Sequence, residues 1–271
     1  MGFGCNAAGV TACRIIQSPR ERLIAILTNT LVPCNGRFPT LILLAGYFLA
    51  QQNLLAAGGI VFLLIVFAVG MTLGISFLLS RTLLKGMPSS FVLELPPYRR
   101  PKIGDVIVRS VLDRTIFVLG RAVTAAIPAG AVIWFCQTVE LGGHTLLYGL
   151  STLLEPLGEC MGLSGVILAA FLLGIPANEI VLPIILMIYS RSGMLVEAEG
   201  IAQAGAILSE NGWTWKTAIC MMLFSLNHFP CATTLLTIRK ETGSRFWTGV
   251  AFWLPTLVGM GLCMAVNLLL S

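Results

Sequence analysis

The sequence predicts an all-α protein, a polytopic transmembrane helical bundle in which some helices are broken or re-entrant. Hydrophobic residues make up 56% of the 271 residues and charged residues only 11%, against about 25% charged in an average soluble domain. The mean hydropathy is +0.90, and apolar runs reach the roughly 20 residues that cross a ~30 Å hydrocarbon layer as a helix. Glycines and prolines interrupt some of these runs, which predicts helices that break within the bilayer.

The first of three predicted regions, residues 1–79, holds a short N-terminal stub and two membrane spans. The charged turn at 14–22 is assigned to the cytoplasmic surface of the membrane, and a short helical stretch follows it at 23–32. Phe38 to Ala50 is predicted to form one apolar span. Leu54 to Leu79 carries no charged residue and is the clearest span of the chain.

The second region, residues 80–114, is predicted to form a basic linker on the cytoplasmic side. Seven Arg or Lys residues stand there against three Asp or Glu, and an excess of positive charge is typical of short cytoplasmic loops. This charge fixes the orientation of the chain. Ala122 to Val139 is therefore predicted to cross outward, with Arg121 reaching back to the lipid headgroups.

The third region, residues 115–271, is predicted to hold a broken helix at 163–189 followed by the C-terminal spans. Glycine and proline residues, among them Pro183, interrupt the apolar run, so it either crosses once with a kink or dips in and returns. The acidic loop at 191–216 is assigned to the outside, because the basic turn at 239–245 belongs in the cytoplasm. This assignment favours a re-entrant hairpin.

The predicted topology is five full spans plus this hairpin. Glu155 and Glu159 place the segment before the hairpin at the outer surface of the membrane. Ala218 to Ile238 is predicted to run inward and Phe246 to Leu270 to run outward.

Four breaks in the apolar segments carry side chains that bind metal ions. A backbone broken inside a bilayer leaves N–H and C=O groups that protein, water or a ligand must satisfy, so such breaks mark cavities. Thiolate, imidazole and amide oxygen together suit a borderline-soft divalent ion such as Fe²⁺, whereas Mg²⁺ and Ca²⁺ select oxygen alone. The breaks at Gly4 to Asn6, Pro33 to Gly36, Asn227 to Cys231 and Gly174 to Glu179 supply the candidate metal ligands Cys5, Cys34, Cys231, Glu179, Asn178 and His228.

Each candidate also has a structural interpretation. A cysteine is more often a small buried hydrophobic residue than a ligand, and this role is assigned to the other five cysteines, Cys13, Cys136, Cys160, Cys220 and Cys263. His228 fits a structural histidine as well as a ligand, and His144 is predicted to be solvated. Placing a carboxylate in an apolar broken helix costs several kcal/mol of transfer free energy, so we predict a functional role for Glu179. The alternative is a structural role in which Glu179 pairs with the end of a neighbouring helix or with Arg121.

The sequence contains no pattern typical of a catalytic site. Gly-x-x-x-x-Gly-Lys-Ser/Thr is absent, so the chain does not hold a nucleoside triphosphate in a P-loop, and no serine-histidine-aspartate or paired-carboxylate arrangement stands out. We therefore predict that the chain is not an enzyme and binds no permanent cofactor. The irregular spacing of the eight cysteines predicts reduced thiols instead of a disulfide framework. The sequence also lacks the basic, aromatic-rich pattern that is typical of nucleic acid binding.

A weak internal repeat relates the two ends of the chain. At an offset of 226 residues, a cysteine, a threonine, a basic residue and a serine recur: Cys5 with Cys231, Thr11 with Thr237, Arg14 with Lys240, and Ser18 with Ser244. In both copies the sequence predicts the same order of elements, namely a cysteine beside a backbone break, a short helix, a basic turn and then a span.

Several of these stretches resemble the bacterial ferrous iron transport protein B (FeoB) family. The first gate region of that family is similar to Gly2-Phe3-Gly4-Cys5-Asn6, Arg14 to Leu23 and Pro33-Cys34-Asn35-Gly36-Arg37, and the linker after it is similar to Lys85 to Arg99. The later gate-type, or nucleoside-recognition-type, region is similar to Pro176 to Ile180 and to Pro230-Cys231. The resemblance covers essentially the whole chain and implies two gate-type repeats.

The resemblance implies the membrane-spanning permease part of a Fe²⁺ uptake transporter in the bacterial cytoplasmic (inner) membrane. Cys5, Cys34 and Cys231 then occupy the positions proposed as metal ligands or gate cysteines. Family members carry a GTP-binding domain and at least one further span before this point. We therefore expect a GTP-binding domain or chain supplied separately, or a longer transporter of which this chain is a part; a homo-oligomer is compatible with the sequence.

Two other functions stay open. Gate-type domains also occur in membrane proteins that transport other solutes such as nucleosides, but these lack the pair of motifs around Cys5 and Cys34. The second alternative is a non-transporting membrane protein that binds a partner and keeps its cysteines as inert core residues. Metal binding by the purified protein separates both alternatives from Fe²⁺ transport.

Overall fold

The computed structural model describes residues 2–50, 53–82, 116–141, 144–190 and 200–270, together with the single positions 84, 104 and 108. Nearly all of these residues are helical, and the strands among them are a two-residue antiparallel pair, Glu140–Leu141 with His144–Thr145. The prediction of an all-α bundle is confirmed. The basic linker at 80–114 lies almost entirely outside the described residues, so its place and the division into three regions stay predictions.

The helices follow one another with short connections. The α-helices of the described residues are α1 (Asn6–Ala12), α2 (Pro19–Thr28), α3 (Phe38–Leu44), α4 (Leu54–Arg81), α5 (Phe117–Thr138), α6 (Leu146–Cys160), α7 (Gly165–Leu173), α8 (Val181–Ser190), α9 (Ile201–Glu210), α10 (Trp215–Asn227), α11 (Ala232–Thr242) and α12 (Arg245–Leu270). Short 3₁₀ turns occupy Cys13–Ile15, Asn29–Leu31, Asn35–Arg37 and Asn178–Ile180, and a π-helical turn occupies Ala45–Leu49.

Within the described ranges, three stretches are apolar and long enough to cross a membrane: α4, α10 together with α11, and α12. The pair α6 and α7, bent by 114°, makes a fourth if the two helices are counted as one span. The prediction of a full span at Phe38 to Ala50 is wrong. Its helix α3 and the π-helical turn have 7 and 5 residues, which cover only about 18 Å of the ~30 Å hydrocarbon layer at ~1.5 Å per residue. The predicted span at 122–139 coincides with α5, which has 22 residues.

The predicted break in the segment 163–189 is confirmed at its centre. Helix α7 ends at Leu173, residues 174–177 are not helical, and the turn Asn178–Ile180 precedes α8. The further break predicted at Pro183 is wrong, because α8 continues through that residue. Pro183 lies in the first turn of α8, where a backbone N–H has no partner within the helix and its loss is tolerated.

A change of direction that the sequence did not predict lies between α6 and α7, which bend by 114°. Glu155 of α6 accepts a hydrogen bond from the backbone N–H of Gly165 at 2.7 Å and so caps the start of α7. A Cβ atom at Gly165 would lie 1.9 Å from the carbonyl oxygen of Ser151, so only glycine permits this close approach of the two helices. Glu155, predicted only to mark the outer surface, therefore also holds the bend.

The main hydrophobic core lies between α3, α7, α8 and α10. These helices contribute the fully buried side chains of Leu41, Ile167, Ile184 and Met221. The long helices α4 and α12 instead expose large apolar side chains, and Leu55 and Leu269 are 88% and 83% exposed. Soluble proteins rarely expose such apolar surface, so these helices suit contact with lipid while the broken helices pack inside.

The internal repeat at an offset of 226 residues has a counterpart in local structure. Cys5 and Cys231 each stand directly before a short helix, α1 and α11. Within these helices, the hydroxyl groups of Thr11 and Thr237 donate to the carbonyl oxygens four residues earlier, at 3.0 and 2.8 Å. The same residue types therefore make the same contacts in both copies.

The correspondence continues into the helices that follow. The side chains of Ser18 and Ser244 accept hydrogen bonds from the backbone N–H groups three residues later, at 3.4 and 3.5 Å, at the starts of α2 and α12. Helix α1 packs against α11, and Arg14, two residues after the end of α1, donates two hydrogen bonds of 2.8 and 2.6 Å to Glu241 in the last turn of α11. The two short helices thus run side by side, from the two cysteines to this ion pair.

Candidate functional site

The four broken segments meet around one cavity of about 410 Å³. We call it the cysteine cavity, and define it by the five candidate ligands in its wall: Cys5, Cys34, Cys231, Asn178 and Glu179. Cys5 and Glu179 are exposed, Cys34 and Cys231 are half-buried, and Asn178 is buried. Residues up to 226 positions apart in the sequence are therefore brought together by the breaks.

Two backbone hydrogen bonds join the broken segments in pairs. The N–H group of Asn35 donates to the carbonyl oxygen of Gly4 at 3.3 Å, and the N–H group of Ala232 donates to the carbonyl oxygen of Ile175 at 2.8 Å. These groups have lost their helical partners at the breaks and satisfy one another instead. The pairing holds Cys34 near Cys5, and Cys231 near Asn178 and Glu179.

A close approach at Gly36 joins the first half of the cavity to the second. A Cβ atom on Gly36 would lie 2.6 Å from Cγ of Glu179, so the glycine allows the Glu179 side chain to cross it. The amide nitrogen of Asn178 lies 3.9 Å from the sulfur of Cys34. A thiol, an amide and a carboxylate are thereby placed next to each other on one wall.

His228, the sixth candidate ligand, lies behind this wall. Its side chain is 1% exposed, and its ring centroid is 4.7, 6.0 and 5.3 Å from those of Phe171, Phe224 and Phe229. The imidazole Nε2 atom is 3.3 Å from Oδ1 of Asn178. His228 therefore contacts a cavity residue instead of facing the cavity.

Arg37 is a residue of this site that the sequence reasoning did not single out. Its side chain is 1% exposed, and it donates hydrogen bonds of 2.6 and 3.2 Å to the carbonyl oxygens of Leu226 and His228. These carbonyls lie at the C-terminal end of α10, where the helix dipole favours a positive charge. An arginine directly after a break in an apolar segment was the signal that could have identified it.

The guanidinium group of Arg37 connects the break at Pro33 to Gly36 with the break at Asn227 to Cys231 through its hydrogen bonds. Its Nε atom and Oδ1 of Asn227 are the buried side-chain atoms without a hydrogen-bond partner in the described part of the chain. Arg37 also lies close enough to Cys34 and Cys231 to interact with them electrostatically. The cation is therefore within electrostatic range of two cavity thiols, while its hydrogen bonds are directed to the end of α10.

The cavity side chains do not form a ready-made coordination sphere. Among the described residues, no group of three or more His, Cys, Asp or Glu side chains is close enough together to hold a metal ion. The structure places five of the six candidates around one space and His228 behind it. Their role as metal ligands stays a prediction.

The remaining cysteines divide between buried and exposed positions. Cys220 and Cys263 are buried, as predicted, and the thiol of Cys263 donates to the carbonyl oxygen of Cys220 at 3.2 Å. Cys13 and Cys136 are partly buried. The prediction of a buried position is wrong for Cys160, which is exposed at the end of α6. The side chains of His144 and Arg121 lie outside the described set.

Comparisons with known proteins all point to one family. The family described as "Ferrous iron transport protein B C terminus" matches residues 61–113. The chain is 31% identical over 266 residues to a protein of Staphylococcus aureus (strain COL) named "Fe(2+) transporter FeoB", covering 94% of this chain and 37% of that protein. It is 29% identical to the protein of the same name from Methanocaldococcus jannaschii, covering 90% of this chain and 36% of that protein.

A third relative adds a second component. The protein of Porphyromonas gingivalis named "Fe(2+) transport protein A/Fe(2+) transporter FeoB fusion protein" is 27% identical, over 91% of this chain and 34% of that protein. The chain thus spans little more than a third of the length of these relatives. No solved structure matches the chain.

Proposed function

We propose that this chain, which belongs to the FeoB family and corresponds to its C-terminal membrane region, is the permease part of a Fe²⁺ uptake transporter. The chain is a multi-pass membrane protein by its apolar helices and its relatives. Its proposed location is the bacterial cytoplasmic membrane. The relatives named as Fe(2+) transporters support Fe²⁺ as the transported ion.

The observation that carries this proposal is the meeting of four backbone breaks around the cysteine cavity. Thiol, amide and carboxylate groups are a donor set that suits Fe²⁺ better than Mg²⁺ or Ca²⁺. Donors spread around a cavity also suit transport, because an ion on a pathway must bind well enough to enter and weakly enough to leave. The proposed metal contacts are Cys5, Cys34, Cys231, Glu179 and Asn178.

We also propose that the energy for uptake comes from a GTP-binding domain or chain outside this sequence. The chain has no P-loop motif, and the relatives are nearly three times as long as the part it matches. The fusion relative supports a protein of the Fe(2+) transport protein A kind as a further partner.

Replacement of the cavity thiols tests the proposed function. We expect the variant with Cys5→Ser, Cys34→Ser and Cys231→Ser to lose most Fe²⁺ uptake into proteoliposomes, because hydroxyl groups are poor ligands for this borderline-soft ion. Uptake is measured by quenching of a metal-sensitive dye trapped inside the vesicles. The matched control is Cys160→Ser, an exposed cysteine away from the cavity.

Fe²⁺ uptake by the triple variant at the wild-type rate overturns the proposal. The same vesicles are supplied with a labelled nucleoside to test the other transport function. Nucleoside uptake without Fe²⁺ uptake identifies a gate-type carrier of another solute. Uptake of neither, together with no Fe²⁺ or Co²⁺ binding in detergent, identifies a non-transporting membrane protein.

A further inference from the structure

We propose that His228 is a positioning residue, which orients the side-chain amide of Asn178 so that its oxygen faces the cysteine cavity beside Cys34. The inference rests on the proposed function, because it adds that this amide oxygen is a donor to the transported divalent ion. His228 itself makes no contact with the metal.

A hydrogen bond on the far side of the imidazole ring determines which ring nitrogen carries a hydrogen. The Nδ1 atom of His228 lies 2.9 Å from the carbonyl oxygen of Ser225. A carbonyl oxygen only accepts hydrogen bonds, so Nδ1 carries the hydrogen and donates it.

The surroundings of the imidazole ring disfavour a positive charge on it. His228 is 1% exposed and is surrounded by the rings of Phe171, Phe224 and Phe229. The guanidinium group of Arg37 donates to the backbone carbonyl of His228 itself, and the imidazole has no ion pair among the described residues. A second buried positive charge without a counter-ion is strongly unfavourable here. The ring is therefore neutral, and its Nε2 atom is a hydrogen-bond acceptor.

The acceptor at Nε2 of His228 determines the orientation of the Asn178 amide. With Oδ1 at 3.3 Å from Nε2 of His228, two acceptors would face each other. The oxygen and nitrogen of an amide have nearly the same shape, and the hydrogen-bond network decides between the two orientations. A half-turn of the amide lets Nδ2 donate to Nε2 of His228. It also moves Oδ1 to the side of Cys34, into the position that Nδ2 otherwise occupies at 3.9 Å from the sulfur.

The result is a pair of neighbouring donors on the cavity wall, the amide oxygen of Asn178 and the sulfur of Cys34. Glu179 follows Asn178 directly in the chain and lies across Gly36. The lone pair of His228 Nε2 is used by Asn178, and the phenylalanine rings hold the imidazole away from the cavity. A histidine that fixes the orientation of a ligand without touching the metal is a common outer-shell arrangement.

A double-mutant cycle tests the proposal on the full chain in detergent, with Co²⁺ as the probe for metal binding. His228→Leu and Asn178→Ala are each expected to weaken Co²⁺ binding, by roughly 10- to 100-fold for partners of this kind. The double variant is expected to match Asn178→Ala alone, because His228 acts only through Asn178. His228→Gln is expected to restore most of the affinity, because its side-chain oxygen can accept from Nδ2 of Asn178.

Phe171→Leu is the matched control, because it loosens the packing around the same ring and leaves the hydrogen bond in place. It is expected to lower the Tm and to leave Co²⁺ affinity within about threefold of wild type. Unchanged affinity in His228→Leu, additive losses in the double variant, or failure of His228→Gln to bind better than His228→Leu each overturn the proposal.

A measurement on the unmutated site does not depend on the folding of these variants. The chain contains two histidines, His144 and His228, so ¹⁵N-histidine labelling gives two pairs of imidazole nitrogen signals, and His144→Gln assigns the pairs. We expect a neutral His228 ring protonated at Nδ1. A ring protonated at Nε2, or at both nitrogens, overturns the proposed orientation. If the wild-type chain binds no Co²⁺ while this tautomer is found, the proposed function fails and the hydrogen-bond assignment stands.

Discussion

Two polar openings in this molecule differ in how the chain builds them. The cysteine cavity has a volume of about 410 Å³ and lies where four segments are broken. The second opening, about 760 Å³, lies between the regular helices α2 and α4. We call it the arginine cleft, and define it by Arg20 and Thr28 of α2 and by Thr72, Ser76, Ser80 and Arg81 of α4, which are all the polar side chains of α4.

The larger opening is the less suitable one for a metal ion. In the arginine cleft the helices satisfy their own backbones, and the hydroxyl groups of Thr72 and Ser80 donate back to carbonyls of α4 at 2.8 and 2.7 Å. Two arginines stand there against one carboxylate, that of Glu21, which disfavours a divalent cation. The broken segments instead supply thiols, an amide and a carboxylate. Backbone breaks, and not volume, therefore distinguish the proposed metal site.

The largest expected difference between the two openings is in stability. Arg37→Met leaves the buried carbonyls of Leu226 and His228 without their donors, and we expect a loss of about 3 kcal/mol, since a hydrogen bond to a charged group contributes ~1.5–3 kcal/mol. Arg20→Met at the arginine cleft is the control. It removes the hydrogen bonds to the carbonyl oxygens of Leu84 and of Ser80, the latter at 3.0 Å, but in a half-exposed place where water can replace the lost donors, and about 1 kcal/mol is expected. Thermal unfolding in one detergent compares them, and equal losses contradict the comparison.

The second prediction concerns protection of thiols by metal. Labelling of Cys5, Cys34 and Cys231 with a maleimide is expected to slow about tenfold when Co²⁺ is present at ~10 times its dissociation constant, because the bound form is protected by mass action. Mass spectrometry of the labelled peptides gives the rate at each cysteine. Cys160, exposed outside the cavity, provides the internal control and is expected to react equally fast with and without Co²⁺. Slowing at Cys160 as strong as at the cavity thiols would show a non-specific effect.

The third prediction concerns the close approach at Gly36. In Gly36→Ala the added methyl group would lie 2.6 Å from Cγ of Glu179 and must displace it. Overpacking of this kind costs ~1–3 kcal/mol, so we expect Fe²⁺ uptake to fall at least fivefold. Gly58→Ala is the matched control, because nothing lies within 4 Å of its added Cβ atom. If Gly36→Ala takes up Fe²⁺ as fast as the control, the position of Glu179 does not matter for uptake, and Glu179 is not part of the proposed pathway.

The smallest effect is expected at the arginine cleft. Arg81→Gln removes a guanidinium group that stacks on the ring of Phe77 at 4.4 Å and contributes no metal donor. Fe²⁺ uptake is expected to stay within about twofold of wild type, since an exposed contact of this kind contributes ~1 kcal/mol or less. If uptake falls as far as in the triple cysteine variant, the arginine cleft belongs to the pathway and the distinction between the two openings is lost.

The fold class and the four breaks around the cysteine cavity were predictable because they depend on local sequence. An uncharged run such as Leu54 to Leu79 is sufficient to identify a membrane-spanning helix, and α4 confirms it. The break at Gly174 to Glu179 is present because Pro176 lacks a backbone N–H and Gly174 ends α7. Local rules also failed where a short run was taken for a span, since α3 and its π-helical turn are too short to cross alone.

The missed features depend on contacts between distant residues. The hydrogen bond between His228 and Asn178 joins residues 50 positions apart, and those of Arg37 to Leu226 and His228 join residues 189 and 191 positions apart. No periodicity within one segment encodes such contacts. The bend at Gly165 likewise requires the carbonyl oxygen of Ser151 as its neighbour. Candidate ligands could be identified one by one from the breaks, but not the side chains that support them.

The ion pair of Arg14 and Glu241 has a mechanical consequence for the cysteine cavity. Helices α1 and α11 have 7 and 11 residues, or about 10 and 16 Å at ~1.5 Å per residue, and each behaves as a stiff rod. The two helices begin directly after Cys5 and Cys231, and the ion pair joins Arg14, just past the end of α1, to Glu241 in the last turn of α11. The distance between the sulfur atoms of Cys5 and Cys231 therefore cannot increase unless one helix bends, one helix rotates against the other, or the ion pair of Arg14 and Glu241 breaks.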